Sequence, residues 1–113
     1  MSDRQADPLI ELKKIAALKF DRERHRLAAI KDELSQLEEE RQQLDKKMNA
    51  LSGEKESNPA SLINAFAYLH ALTDKAGQID REREEAHQRT LQQRQKIKEA
   101  LASKIRVDDL SED

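Results

Sequence analysis

The chain has 113 residues, no cysteine, two glycines, two prolines and three aromatic residues; charged residues make up 39% and the formal net charge is −2. That length bounds the chain to one domain at most. The missing cysteines exclude a disulfide framework and a thiolate zinc site. So few glycines, aromatics and large aliphatics exclude a turn-rich sandwich or barrel around a thick core, and the Ala/Glu/Lys/Leu/Arg/Gln-rich remainder points to long helices.

Residues 1–7 (MSDRQAD) hold no apolar stretch, so no secretory signal is expected and the segment reads as a flexible N-terminus. Asp7-Pro8 opens helix 1: Asp caps well, and proline suits a first helical position whose N–H has no partner. Helix 1 is expected over about 8–52. It stops at Ser52-Gly53, where glycine can take the left-handed C′ conformation. Residues 53–58 (GEKESN) form a polar turn, and Asn58-Pro59 repeats the start signal for helix 2, expected over about 59–105. Gly77 is a weak spot costing up to ~1 kcal/mol relative to Ala. Residues 106–113 (RVDDLSED) read as an acidic, mobile tail. No apolar run approaches the ~18 residues of a membrane span.

Apolar spacing sets the expected architecture. In helix 1, Phe20, Glu23, Leu27, Ile30, Leu34, Leu37, Arg41, Leu44, Met48 and Leu51 alternate by three and four. In helix 2, Leu62, Ala65, Leu69, Leu72, Ala76, Ile79, Arg83, Ala86 and Thr90 do the same. This is the seam of a left-handed coiled coil. Each series breaks once, at Leu12-Ala16-Phe20 and at Thr90-Arg94-Ile97, as a four-residue stutter. Folding about the centre of the turn pairs residues whose numbers add to about 111, which brings the two stutters level. The fold class is therefore all-α: two long helices forming an antiparallel coiled-coil hairpin. The same rule sets Leu44 near Leu69, Leu34 near Ala76, Ile30 near Ile79, and Leu12 near Ala100 and Leu101. Glu23, Arg41, Arg83 and Thr90 interrupt the seam. They read as register control, with arginine stems lying along the seam, or as a sign that residues 80–94 must flex.

Enzyme motifs are missing. No G-x-x-x-x-G-K-[ST] or G-x-G-x-x-G occurs, and a two-helix hairpin offers no pocket in which to retune a carboxylate. No catalytic residue, cofactor or metal is expected. By the folding rule His25 and His87 lie nearly level, with Glu84 one turn from His87, but this two-His, one-carboxylate set reads better as solvated side chains. His70 reads as part of a surface patch. The charges are interleaved, as in Asp21-Arg22-Glu23-Arg24, which suits a solvated face rather than the basic stripe of a nucleic-acid binder.

The most informative stretch is Leu62–Leu72, LINAFAYLHAL. The seam uses Leu62, Ala65, Leu69 and Leu72, which leaves Ile63, Phe66 and Tyr68 as surplus. Such a cluster on a charged rod suggests a partner surface; alternatively it thickens the hairpin end, with Phe66 covering Leu44 and Met48. Ile10, Ile15 and Leu18 form a lesser surplus near the other end.

A spaced Leu/Ala first helix (Leu9 to Leu51), a polar turn, and a second helix opening with Phe66, Tyr68, Leu69, Leu72 and Ala76 ahead of Gln/Arg-rich sequence resemble the bacterial flagellar and type III secretion export stalk proteins, the FliJ and YscO type. The resemblance spans residues 8–105. It implies a cytoplasmic, non-enzymatic stalk, peripheral to the inner membrane through the export apparatus and not inserted in the bilayer. The end carrying both termini would enter the hexameric export ATPase ring. The other end would meet the export gate through Leu69, Leu72 and Ala76 with Tyr68 or Phe66. Export chaperones are a further implied partner. The competing readings are a free-standing adaptor or prefoldin-like chaperone gripping clients at its helix tips, and a nucleic-acid-associated hairpin, which the charge balance disfavours.

Overall fold

A computed structural model describes residues 7–52 and 59–110. They form two helices, α1 (Pro8–Ser52) and α2 (Pro59–Leu110), with no strand among the described residues. The chain is all-α and folds as a helical hairpin. The helices run antiparallel: Glu38, Arg41 and Met48 of α1 meet Arg83, Asp80 and Thr73 of α2 in that order. The expected turn, the Gly53 and Asn58 signals, and residues 1–6 and 111–113 lie outside the described residues.

The start of α1 follows its sequence signal. The Asp7 carboxylate accepts from the Leu9 N–H at 2.9 Å and the Asp7 carbonyl accepts from the Glu11 N–H at 3.1 Å. The first is an N-cap bond that satisfies an otherwise orphaned donor, and the second is the first i→i−4 bond of the helix. The end of α2 differs from expectation. The helix continues past Ile105 to Leu110, so residues 106–110 are helix and not tail. Two aspartates near a helix C-terminus oppose its dipole. Packing outweighs this: Lys104 and Val107 extend the half-buried stripe of α2, and Lys104 pairs with Asp108 at 3.4 Å.

The helices pack as two units, a terminal unit (Met1–Lys31 with Gln88–Asp113) and a central unit (Asp32–His87). In the central unit Leu37, Leu44, Leu72, Ala76, Ile79 and Ala86 form the core, with Leu34, Met48 and Leu51 against it. In the terminal unit the buried residues are Glu23, Thr90, Gln93 and Ala100. Among its described residues no large apolar side chain is fully buried; Leu27, Ile30 and Ile97 are half-buried.

Two details of the expected seam are corrected. The buried stripe of α1 runs through Lys13, Ala16, Phe20 and Glu23, and that of α2 through Thr90, Gln93, Ile97 and Ala100. Both keep the three-four alternation, so neither expected stutter exists. Leu12 is 48% exposed, and the Lys13 stem takes its seam position, as long charged side chains do. Gln93 replaces Arg94 because its amide has a buried partner, described below.

The register is also shifted. The Glu23–Gln93 pair has residue numbers adding to about 116, not 111. In the central unit the polar pairs add to about 121. Helical side chains lean one turn toward their own N-terminus, so Arg41, Arg83 and Met48 each reach beyond the level of their own Cα. The lean differs between side chains, but every one of these pairs adds to more than 111, so the two stripes are displaced from the flush register in the same direction. The expected neighbours Leu44–Leu69, Leu34–Ala76 and Leu12–Ala100 add to between 110 and 113, below all of these pairs. The value 111 assumed that the two helices end flush at the turn. Sums above 111 instead set the start of α2 beyond the level at which α1 ends.

Candidate partner-binding surfaces

That overhang explains the most exposed apolar group of the central unit. Ile63 and Phe66 are 69% and 67% exposed, and Leu62 leaves the seam at 38% because α1 has ended where it would pack. At 67% exposure the Phe66 ring is mostly in solvent and covers little of the core. Tyr68 is 49% exposed. At 3.6 residues per turn Tyr68 lies roughly 160° around the helix from Phe66. Ile63 and Phe66 therefore share one flank of α2 and Tyr68 occupies the other. The six expected interface residues divide further: Leu72 and Ala76 are core, Leu69 is half-buried, and only Ile63, Phe66 and Tyr68 offer surface.

Sequence reasoning ranked the terminal unit second, yet it carries the larger surplus. Ile10, Leu12, Ile15, Leu18, Leu91, Leu101, Ile105 and Leu110 are all well exposed. The missed signal was the pairing of apolar residues one position past the α2 seam with Lys and Arg at the same spacing.

The charges are segregated as well as interleaved. The terminal unit has 14 Lys and Arg against 10 Asp and Glu, a formal +4; the central unit has 7 against 13, a formal −6. The total is the −2 of the whole chain. The charge argument against nucleic acid therefore applies to the whole chain and not to the terminal unit alone.

The four seam interruptions are all partnered. Glu23 is 5% exposed and accepts from Gln93 Nε2 through its carboxylate at 2.6 Å and its backbone carbonyl at 2.8 Å. Arg26 adds an ion pair at 2.8 Å. The Gln93 hydrogen bond holds the Glu23 carboxyl below its ordinary value; burial opposes this, and the charges of Arg26, Lys96 and Arg22 assist it. Arg41 bridges Asp45 at 2.6 Å and Asp80 at 3.0 Å. Arg83 Nε lies 3.0 Å from Glu38 in an ionic contact whose angle is off the hydrogen-bond line, and its guanidinium also approaches Asp80 at 3.4 Å. Thr90 is buried and partnered. These groups sit at the helix–helix contact, and Glu23 also lines an open, charged depression with Lys19, Arg26, Lys96 and Glu99.

The surface depressions are shallow. One is lined by Phe20, Arg24, Leu27, Ala28, Lys31 and Ile97, with the Arg24 guanidinium 5.5 Å from the Phe20 ring centre. Among the described residues no group of three or more His, Asp or Glu is placed to hold a metal ion. His25 shares a surface with Asp21, Arg24 and Ala28 of its own helix, and His25 and His87 belong to different units. His70 is 3.5 Å from Asp74 on the exterior. Among the described residues no helix is long and apolar enough to cross a membrane. The chain matches no family model, and neither curated proteins nor solved structures give a significant match.

Proposed function

We propose that this chain is a non-enzymatic coiled-coil adaptor that works by presenting exposed apolar side chains on a charged helical hairpin to protein partners. The observation that carries the reading is the exposure of Ile63 and Phe66 on one flank of α2. Exposed aromatic and aliphatic groups of this kind anchor interfaces. The resemblance to export stalks supplies the finer form: a cytoplasmic stalk joining the export ATPase ring to the export gate, with export chaperones as further clients. Because Leu72 and Ala76 are core, the gate-facing surface in this proposal moves to Ile63 and Phe66. Their burial also favours a second reading, a free-standing adaptor that holds its partner at the helix tips.

Purified export ATPase and the cytoplasmic domain of the gate protein, each titrated with the full chain, test the proposal. Phe66→Ala is expected to weaken gate binding about tenfold, the equivalent of ~1.4 kcal/mol, with helicity unchanged. If neither protein binds, the export form is lost and the free-standing adaptor remains. If both bind and Phe66→Ala and Ile63→Ala bind equally well, the surface assignment is wrong.

A further inference from the structure

We infer that two copies of this chain associate antiparallel through one exposed flank of α2, beside its contact with α1, the central unit of one copy covering the terminal unit of the other. In each unit α2 carries a second stripe, one position past the buried seam. In the central unit it reads Ile63, Phe66, His70, Thr73, Gly77; in the terminal unit it reads Leu91, Arg94, Lys98, Leu101, Ile105. Each steps by three, four, three and four, the spacing of a coiled-coil seam. Set antiparallel, the two stripes face each other to within one residue.

The match is chemical as well as metric. Ile63 meets Ile105 of the second copy and Phe66 meets its Leu101, so apolar groups exposed by 40–69% cover one another. At the other end the solitary Leu91, 59% exposed, meets Gly77. Only Arg81 Nη1, at 3.8 Å, lies near the place a Gly77 side chain would fill, which leaves a hole for the leucine knob. Between them Arg94 and Lys98 face the stretch from His70 to Asp74. The unit charges of +4 and −6 attract in this arrangement, whereas like units facing each other would repel. A two-fold dimer makes the contact twice.

The inference does not depend on the export reading, because it concerns the purified chain alone. The dimer covers the same Ile63 and Phe66 that the proposed partner surface uses, so partner and second copy compete there: light scattering of the chain alone tests the dimer, and partner titration at concentrations where the chain is monomeric tests partner binding. Light scattering on the full chain is expected to give twice the 13.0 kDa of one copy. Raising salt from about 0.05 to 0.5 M is expected to weaken association, since exposed charges are then screened beyond a few ångströms. The chain has no cysteine, so single-cysteine variants report contacts cleanly. An equal mixture of Phe66→Cys and Leu101→Cys chains is expected to form mostly the mixed disulfide. Gly77→Gln fills the hole with a good helix former, and is expected to weaken association at least tenfold with helicity retained. A monomer throughout, predominantly like-with-like disulfides, or association that strengthens with salt each overturns the inference. A monomer that binds polyglutamate also overturns it, and assigns the basic stripe to an acidic partner.

Discussion

The central and terminal units are built from the same two helices by different means. The central unit buries Leu37, Leu44, Leu72 and Ile79, and places its arginines at the edge of that core, where Arg41 and Arg83 pair with Asp45, Asp80 and Glu38. The terminal unit buries a carboxylate, an amide, a hydroxyl and one alanine, and leaves eight large aliphatics exposed. Burial of apolar surface is the main source of stability in the first. In the second a charge-assisted hydrogen bond at 2.6 Å fixes which residues face each other, and apolar surface is left for something else to cover. A chain that kept its best core in one unit and its best uncovered surface in the other would be stable alone and still associate.

The comparison breaks first if the register is wrong. A Leu37→Cys, Ile79→Cys chain is expected to close an intrachain disulfide nearly completely, because both residues are buried in one core and their numbers add to 116, as those of Glu23 and Gln93 do. Leu34→Cys with Ala76→Cys, about one turn out of step, is expected not to close, since bridgeable Cα atoms lie within ~7 Å. Gel mobility with and without reductant reads both. Closure of the second pair alone would restore the flush-ended hairpin.

Next in size is the central core. Leu44→Ala removes a side chain that is 4% exposed and is expected to cost about 2–4 kcal/mol, a melting shift of 10 °C or more. Leu18→Ala, in the terminal unit at a site 68% exposed, is expected to fall within about 0.5 kcal/mol of the parent in dilute monomer. Equal losses would mean that the two units do not divide the work as described.

The buried polar pair should give a smaller, pH-dependent effect. The Glu23 carboxyl is held below 4.5, chiefly by Gln93. Its stabilising contribution is therefore complete above the unfolded-state value and is lost as pH falls through the lower folded value. Gln93→Ala removes the main cause. Thermal melts between pH 7 and pH 3 are expected to show the parent losing stability on acidification more steeply than Gln93→Ala. Replacing both residues, Glu23→Leu with Gln93→Leu, is expected to recover or exceed parental stability while loosening the register, since apolar pairs often replace buried polar ones without loss. Parallel pH profiles for the parent and Gln93→Ala would remove Gln93 as the cause.

What was legible in the sequence follows from the same division. Seam positions from Glu23 to Leu51 and from Ala65 to Thr90 were readable because Leu, Ile and Ala recur there at helical spacing. The Asp7 cap was readable because capping is local. Lys13 and Gln93 were not: a polar residue enters a seam only for a partner contributed by the other helix, or by lying along its stem, and neither is visible in one-dimensional spacing. The register was lost for a related reason. A flush turn is the simplest closure, and only cross-helix pairs such as Glu23–Gln93 reveal that α2 overhangs. The candidate surface was half legible. Ile63, Phe66 and Tyr68 stand out in the sequence as surplus and are exposed, Tyr68 on the opposite flank, whereas Leu72 and Ala76, which the export-stalk resemblance adds, are buried in the seam.

The smallest expected effect tests whether the central unit is optimised for stability alone. Gly77 lies inside α2, at a half-buried position, with ordinary helical backbone. A Cβ there would meet only Arg81 Nη1, at 3.8 Å, an ordinary van der Waals distance to the end of a flexible side chain. Gly77→Ala therefore meets no steric obstacle, while glycine costs a helix interior up to ~1 kcal/mol relative to alanine through the backbone freedom it surrenders on folding. In dilute monomer Gly77→Ala is expected to raise the melting temperature by a few degrees. A gain measured there, together with weaker association at higher concentration, would mean that glycine is kept for the surface it leaves open and not for the helix it weakens. No gain in the monomer would mean that the local backbone already tolerates glycine, and the hole opposite Leu91 would lose its thermodynamic argument.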